Sequence, residues 1–374
     1  MNPEKKTASH QLRYYIALAA PPTRAPVDGS EAFMRAEAGF NLLWFTRYCE
    51  GVSFAERWHQ DADYRLKCHE LMSGEVRRRF AGRNIGGVDE DKPSDLLTGV
   101  YGGAVVAGMF GQSIQYFHDT WPVAKDAPLT DSQADSLAPV DPDGNGFFQG
   151  ILEQCDRIEQ LTGTIRGYLN WQGVLNTAFR LRGERIFVDL YDCPRRAEHI
   201  FECVAVTMID GMKRLFERQR KAWFDVEFAT ISNCVVNMIS PEHYRDHVLA
   251  FDLKIRNEFK NFGIHNCAWV VDPYMDAYAR VPKLGYIDMG MTSDFGKAKK
   301  MFPEARRNVL YTSMDIADKS AEAIRGDFER IANELAPCDV GLLNLGPEVD
   351  DEQVIFFMDL CEQLSSNQRN QYNA

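Results

Sequence analysis

LGYIDM at 284–289, NVLYT at 308–312 and DVGLLNL at 339–345 are three short apolar runs of strand length. Each is followed by a segment of helical periodicity, over 295–302, 319–335 and 351–364. Parallel strands need a long connection and a helix supplies it, so this repeat reads as a parallel sheet with crossover helices. The alternation continues upstream. Ser240-Pro241-Glu242 opens a helix with Tyr244, Val248, Phe251, Ile255, Phe259 and Phe262 at steps of three and four, closed by Gly263. Gly263-Ile-His-Asn-Cys267 then reads as a short strand with a polar tip. Segments 163–170 (GTIRGYLN) and 224–231 read as two further strands, with helical stretches around 195–218 between them, and QSIQYF at 112–117 as a second barrel strand. About six strand–helix units without a GxGxxG turn point to an α/β fold, a (β/α)8 TIM barrel with an N-terminal helical extension, over a doubly wound sheet. One domain is expected over 1–374. Residues 1–110 hold the helical cap and first strand, and 111–374 the remainder, with a loop over 118–150.

The 374 residues are 45% hydrophobic and 26% charged, with a formal net charge of −12. That acidity, without a basic run, argues against nucleic acid as a partner. No apolar stretch is long enough to span a bilayer, and the polar start MNPEKKTASHQ lacks the apolar core of a secretion signal. Nine cysteines with no CxxC read as reduced thiols, so a cytoplasmic protein is expected.

Barrel chemistry gathers at the C-terminal ends of the strands. Those ends supply Asn170, Trp171 and Gln172; Glu227, Asn233 and Cys234; His265, Asn266 and Cys267; Asp288 and Asp294; Ser313 and Asp315; and Asn344 and Glu348. Among them His265-x-Cys267 stands out. Side chains two apart on a strand share a face, and imidazole and thiolate both suit Zn²⁺. The bland alternative is a buried histidine bonded to backbone beside an inert thiol. Elsewhere, Asp141-Pro-Asp143-Gly-Asn145-Gly146 begins like a calcium loop but has Leu152 where the bidentate acid belongs, so it reads as a polar turn. The glycines 102, 103, 108 and 111 lack a P-loop ending and read as packing residues. His243 and His247 lie in the first turns of a helix and read as exposed, and His118-Asp119 is a weak acid–base pair.

Several stretches resemble the uroporphyrinogen decarboxylase superfamily. They are Tyr168-Leu-Asn-Trp-Gln-Gly173, Leu181-Arg-Gly-Glu184 with Phe187-Val-Asp-Leu-Tyr191 and Pro194, Ser240-Pro-Glu-His-Tyr244, Gly263-Ile-His-Asn-Cys267 and Gly346-Pro347. In the first half they are Gly51-Val-Ser-Phe-Ala-Glu-Arg-Trp58 with Asp61-Ala-Asp63, then Phe110-Gly111 and Trp121-Pro122. The His-x-Cys strand resembles the cobalamin-dependent methyltransferase branch, in which the pair ligates zinc. That resemblance implies a methyltransferase moving a methyl group between a corrinoid protein, which carries the cobalamin, and a small-molecule acceptor such as a thiol; a homodimer is left open. A second cysteine near the last strand completes the family's zinc site, and Leu343-Asn-Leu-Gly-Pro-Glu348 has none, while Cys338 belongs to the far end of that strand. Cys234, Glu227 and Glu348 are therefore the candidates to join His265 and Cys267 as metal ligands. Phe33-Met-Arg-Ala-Glu-Ala-Gly39 lacks the second arginine of the decarboxylase motif. The alternatives are a metal-free decarboxylase or lyase and a non-catalytic ligand-binding relative. Asp288, Asp315 and Asn344 are the catalytic candidates, and Asn170, Trp171, Gln172 and Asp294 the substrate-binding ones.

Overall fold

A computed structural model describes residues 7–8, 12–17 and 32–372. Six strands form one parallel sheet: β1 (Met34–Phe40), β2 (Phe228–Ser232), β3 (Asn261–His265), β4 (Leu284–Gly290), β5 (Arg306–Tyr311) and β6 (Cys338–Leu345). Their order is β1-β6-β5-β4-β3-β2. The first strand lies beside the last, and every other neighbour is one step away in sequence. That circular order belongs to a (β/α)8 barrel, since a doubly wound sheet reverses its order at a switch point. The strands are buried over nearly their whole length, as expected of a parallel sheet covered on both sides. Helices Phe295–Met301, Ala321–Glu334 and Asp351–Tyr372 follow β4, β5 and β6 close to where the apolar periodicity puts them. No helix among the described residues is long and apolar enough to cross a membrane.

Irregular segments flank both edges of this sheet. Beyond β1, Tyr15 and Ala17 exchange backbone bonds with Phe40, each 2.8 Å long. Beyond β2, Gln172 forms a parallel bridge to Ser232. On the β2 flank side chains do much of the bonding. Tyr168 Oη accepts from Thr230 N and donates to Thr230 O, Thr98 Oγ1 accepts from Tyr168 N, and Gln219 Nε2 donates to the carbonyls of Ile165 and Gly167.

Several expected elements are corrected. Segment 163–170 forms no strand ladder: Gly163 ends the preceding helix in the left-handed region, and the stretch after it is tied through those side chains. Only Ile114–Gln115 of 112–117 is strand, and it pairs antiparallel with Val123–Ala124 in a hairpin outside the sheet. The 224–231 run splits into Phe224–Asp225 and β2. The helix from Ser240 ends at Arg256, and its final expected residue, Phe262, is buried in β3. A spacing of three or four apolar residues continued across the break and hid it. The 118–150 stretch contains the capped helix Asp131–Asp135, and Asn145 caps Gly146–Thr162. The helices Leu42–Tyr48, Glu56–Gln60 and Ala62–Arg79 follow β1 rather than precede it.

His59 is fully buried under this region and accepts from Tyr101 N at 3.0 Å through Nδ1. Burial, aided by Arg65, lowers its pKa to about 3. The folded protein therefore excludes a proton that the unfolded chain takes up below about pH 6.5. Stability is present above that pH and declines as pH falls, by about 3 kcal/mol between pH 6.5 and 4. Urea unfolding at pH 7 and pH 4 should show a smaller acid loss in His59→Gln than in the wild type. Equal losses would refute this assignment.

Candidate metal centre

The register of β2 against β3 builds the site. Ser232 pairs with His265, so two residues beyond each partner, Cys234 and Cys267, emerge side by side at the C-terminal end of the sheet. Asn233 N donates to His265 O at 2.7 Å and ties the two strand ends together. Cys234 Sγ and Cys267 Sγ lie 2.8 Å apart, and Cys267 Sγ is 3.2 Å from His265 Nε2. The ligand atoms of Cys234, His265 and Cys267 all fall within 4.8 Å of one another, the one such group of three among the described residues. His265 is buried, while both cysteines are partly exposed, so the sulfurs form the accessible side.

β4 supplies the support. Asp288, fully buried, accepts from His265 Nδ1 at 2.5 Å, from Asn266 N at 2.5 Å and from Tyr286 Oη at 2.7 Å. With its Nδ1 proton held by a carboxylate, the imidazole turns Nε2 toward the sulfurs, the orientation typical of metal-binding histidines. Asn266 is fixed as well: its Nδ2 donates to Asp288 O and its Oδ1 accepts from Tyr278 Oη. Below Cys234, Asn233 Nδ2 and Tyr244 Oη both donate to buried Asp252 at 2.8 Å. Cys267 has φ +60°, the left-handed region that side chains other than glycine's rarely adopt. Such conformations persist where surrounding structure enforces them, and they cluster at functional sites.

Electrostatics favour one thiolate. The Cys267 S–H bond to Cys234, with His265 nearby, holds the Cys234 thiol well below its ordinary range despite burial. Cys267 is pushed upward, first by that same hydrogen bond and then by burial. Burial would lower the His265 pKa, but Asp288 and the two sulfurs outweigh it and raise it. Two sulfurs and one nitrogen, with a carboxylate behind the imidazole, fit a three-ligand zinc site with an open fourth position.

The other expected residues fall as follows. Glu227 stands at the opposite, N-terminal end of β2 and pairs with Lys260 at 2.8 Å, which removes it from the ligand candidates. Glu348 is exposed in the turn after β6 and is not part of the ligand group. Asp294 caps the helix Phe295–Met301, and Asp315 closes a capping box with Thr312 while pairing with Lys319, so both acids are corrected to helix-end roles. Asn344 is exposed where β6 slips register, with φ +67°. Trp171 is buried against Gly211 and Met109. Gln172 Oε1 accepts from Asn176 Nδ2, and Asn170 is buried with Oδ1 unpartnered. Cys338 is buried at the start of β6, as the sequence placed it. His247 pairs with Glu198, and the His243 ring lies tilted against Tyr191. Asp141 and Asn145 cap a turn and a helix.

Similar solved structures are known. A methyltransferase from Methanosarcina mazei superposes with a TM-score of 0.64 at 13% identity, over 90% of this chain and 95% of its own. A B12-independent methionine synthase from Shewanella sp. W3-18-1 gives 0.48 at 10% identity, over 91% and 99% of the two chains. The likeness to the first is one of architecture, and it agrees with the superfamily resemblance seen in the sequence. No protein-family model and no curated protein matches the chain.

Proposed function

We propose that this protein is a methyltransferase whose reaction centre is the Cys234–His265–Cys267 group with zinc bound to it. The observation carrying this reading is the donor set itself: two sulfurs and an imidazole converge at strand ends, with Asp288 orienting the imidazole. Bound zinc would hold an acceptor thiol as thiolate and keep it nucleophilic at neutral pH. The residues of this chain supply the rest. Asp288 keeps the His265 proton on Nδ1, Asn266 fixes the turn that carries Cys267, and Asn233 joins the two ligand-bearing strand ends. A corrinoid protein is proposed as the methyl carrier, on the superfamily resemblance. The fold of the Methanosarcina mazei methyltransferase supports the same reading.

Metal analysis of the purified protein should find about one zinc per chain, matching the one three-ligand group among the described residues. Zinc-loaded protein should transfer methyl from methylcobalamin to a small thiol, followed by the cobalamin absorbance. Protein that neither retains nor takes up zinc would end this reading.

A further inference from the structure

Arg180 makes no hydrogen bond or ion pair among the described residues, although it is only half-exposed beside the metal centre. Four other enclosed arginines are held by oxygens, while Arg166, also without a hydrogen bond, lies over the Phe224 ring. Arg65 bonds two carbonyls and Gln154, Arg182 pairs with Asp189, Arg256 bonds two carbonyls, and Arg306 pairs with Asp339. A guanidinium withdrawn from water without a partner is costly, so its retention calls for a ligand.

Its place is fixed by the helix Val174–Arg182. Asn176 and Arg180, four apart, share one face of it, and Gln172, just before the N-cap Gly173, joins them through its bond from Asn176 to form one stripe. Asn176 sits at its centre: its Nδ2 donates to Gln172 and its Oδ1 accepts from Val235 N, the residue after Cys234. The stripe therefore runs alongside the Cys234 turn. On its other side is backbone: a Cβ at Gly103 would lie 2.8 Å from Gln172 Nε2 and 2.9 Å from Arg180 Nη2. Glycine there makes room for the two donor ends. Burial lowers the Arg180 pKa, and Cys234 is the neighbouring charge that opposes this.

We propose that Arg180 is a specificity-determining residue that receives an oxyanion, so that the molecule meeting Cys234, His265 and Cys267 is an acid, with carboxylate the simplest case. Guanidinium presents paired donors that match such a group. This rests on the three-residue group being the reaction centre, but not on its holding zinc.

The test uses metal-free protein and two alkylating agents of similar shape, anionic iodoacetate and neutral iodoacetamide. In both, a Cys234 sulfur–carbon bond forms and iodide leaves, and the product is read by peptide mass spectrometry. Arg180→Gln should lower the ratio of iodoacetate to iodoacetamide rates at Cys234 by about tenfold or more, the worth of one charge-assisted contact. Arg180→Lys should recover part of it. Inorganic sulfate at constant ionic strength should slow iodoacetate in the wild type and not in Arg180→Gln. Should Arg180→Gln fail to fold, the lysine variant and sulfate protection of the wild type decide. Unchanged ratios in the variants, or no protection by sulfate, would overturn the proposal. Protein that takes up no zinc when it is supplied, yet shows the ratio change, would end the metal reading and leave Arg180 standing.

Discussion

Cys234→Ser is expected to weaken zinc binding by more than about a hundredfold, roughly the share of one ligand in the free energy of a protein zinc site. Cys267→Ser should do the same. The three ligand atoms lie within one coordination sphere's reach, so no member is spare. Cys338→Ser, Glu227→Gln and Glu348→Gln should bind as the wild type does. Cys338 is buried at the far end of β6, Glu227 is engaged with Lys260, and Glu348 is exposed in a turn. Competition with a chromophoric chelator reads all five variants. Wild-type affinity in Cys234→Ser, or loss in Glu348→Gln, would show that the third ligand is assigned wrongly.

Asp288→Ala is expected to act twice. Removing the partner of a ligating histidine costs about 10- to 100-fold in metal affinity. It also strands three buried donors, on His265, Asn266 and Tyr286, and breaking such a buried network costs about 3–5 kcal/mol of stability. Asp288→Asn keeps the shape but offers one acceptor instead of two, and should fall between. Chelator competition and urea unfolding measured together separate the two effects. A variant that unfolds like the wild type and keeps its zinc affinity would remove Asp288 from both roles.

The sequence carried the second half of the barrel because each strand there is a compact apolar run followed by a capped helix. It carried less of the first half, where the segment beside β2 is held by side chains rather than ladders, and no periodicity marks a hydrogen bond from Tyr168 or Gln219. The His-x-Cys pair was readable because both residues share one strand end. The third ligand was readable only as a choice among Cys234, Glu227 and Glu348, since the choice depends on which residue of β2 pairs with His265. Once Ser232 takes that place, Cys234 follows. Asp288, Asp294 and Asp315 look alike at strand ends, yet one orients an imidazole and two cap helices. The difference lies in the geometry of their partners. Arg180 stood out to no sequence rule, because an unpaired guanidinium is visible only once its surroundings are known.

The holding of the segment beside β2 by side chains has a consequence for mutational tolerance. Along β3 to β6 the rungs are backbone amides and carbonyls, present whichever residue occupies a position, so many apolar exchanges leave the hydrogen-bonding frame intact. At the seam the same work falls to the Tyr168 hydroxyl, the Thr98 hydroxyl and the Gln219 amide. There the identity of the side chain is itself the frame, and even phenylalanine for Tyr168 would remove a rung. The freedom to vary is thus unevenly shared around one barrel, and the side that adjoins the Cys234 turn has the least of it.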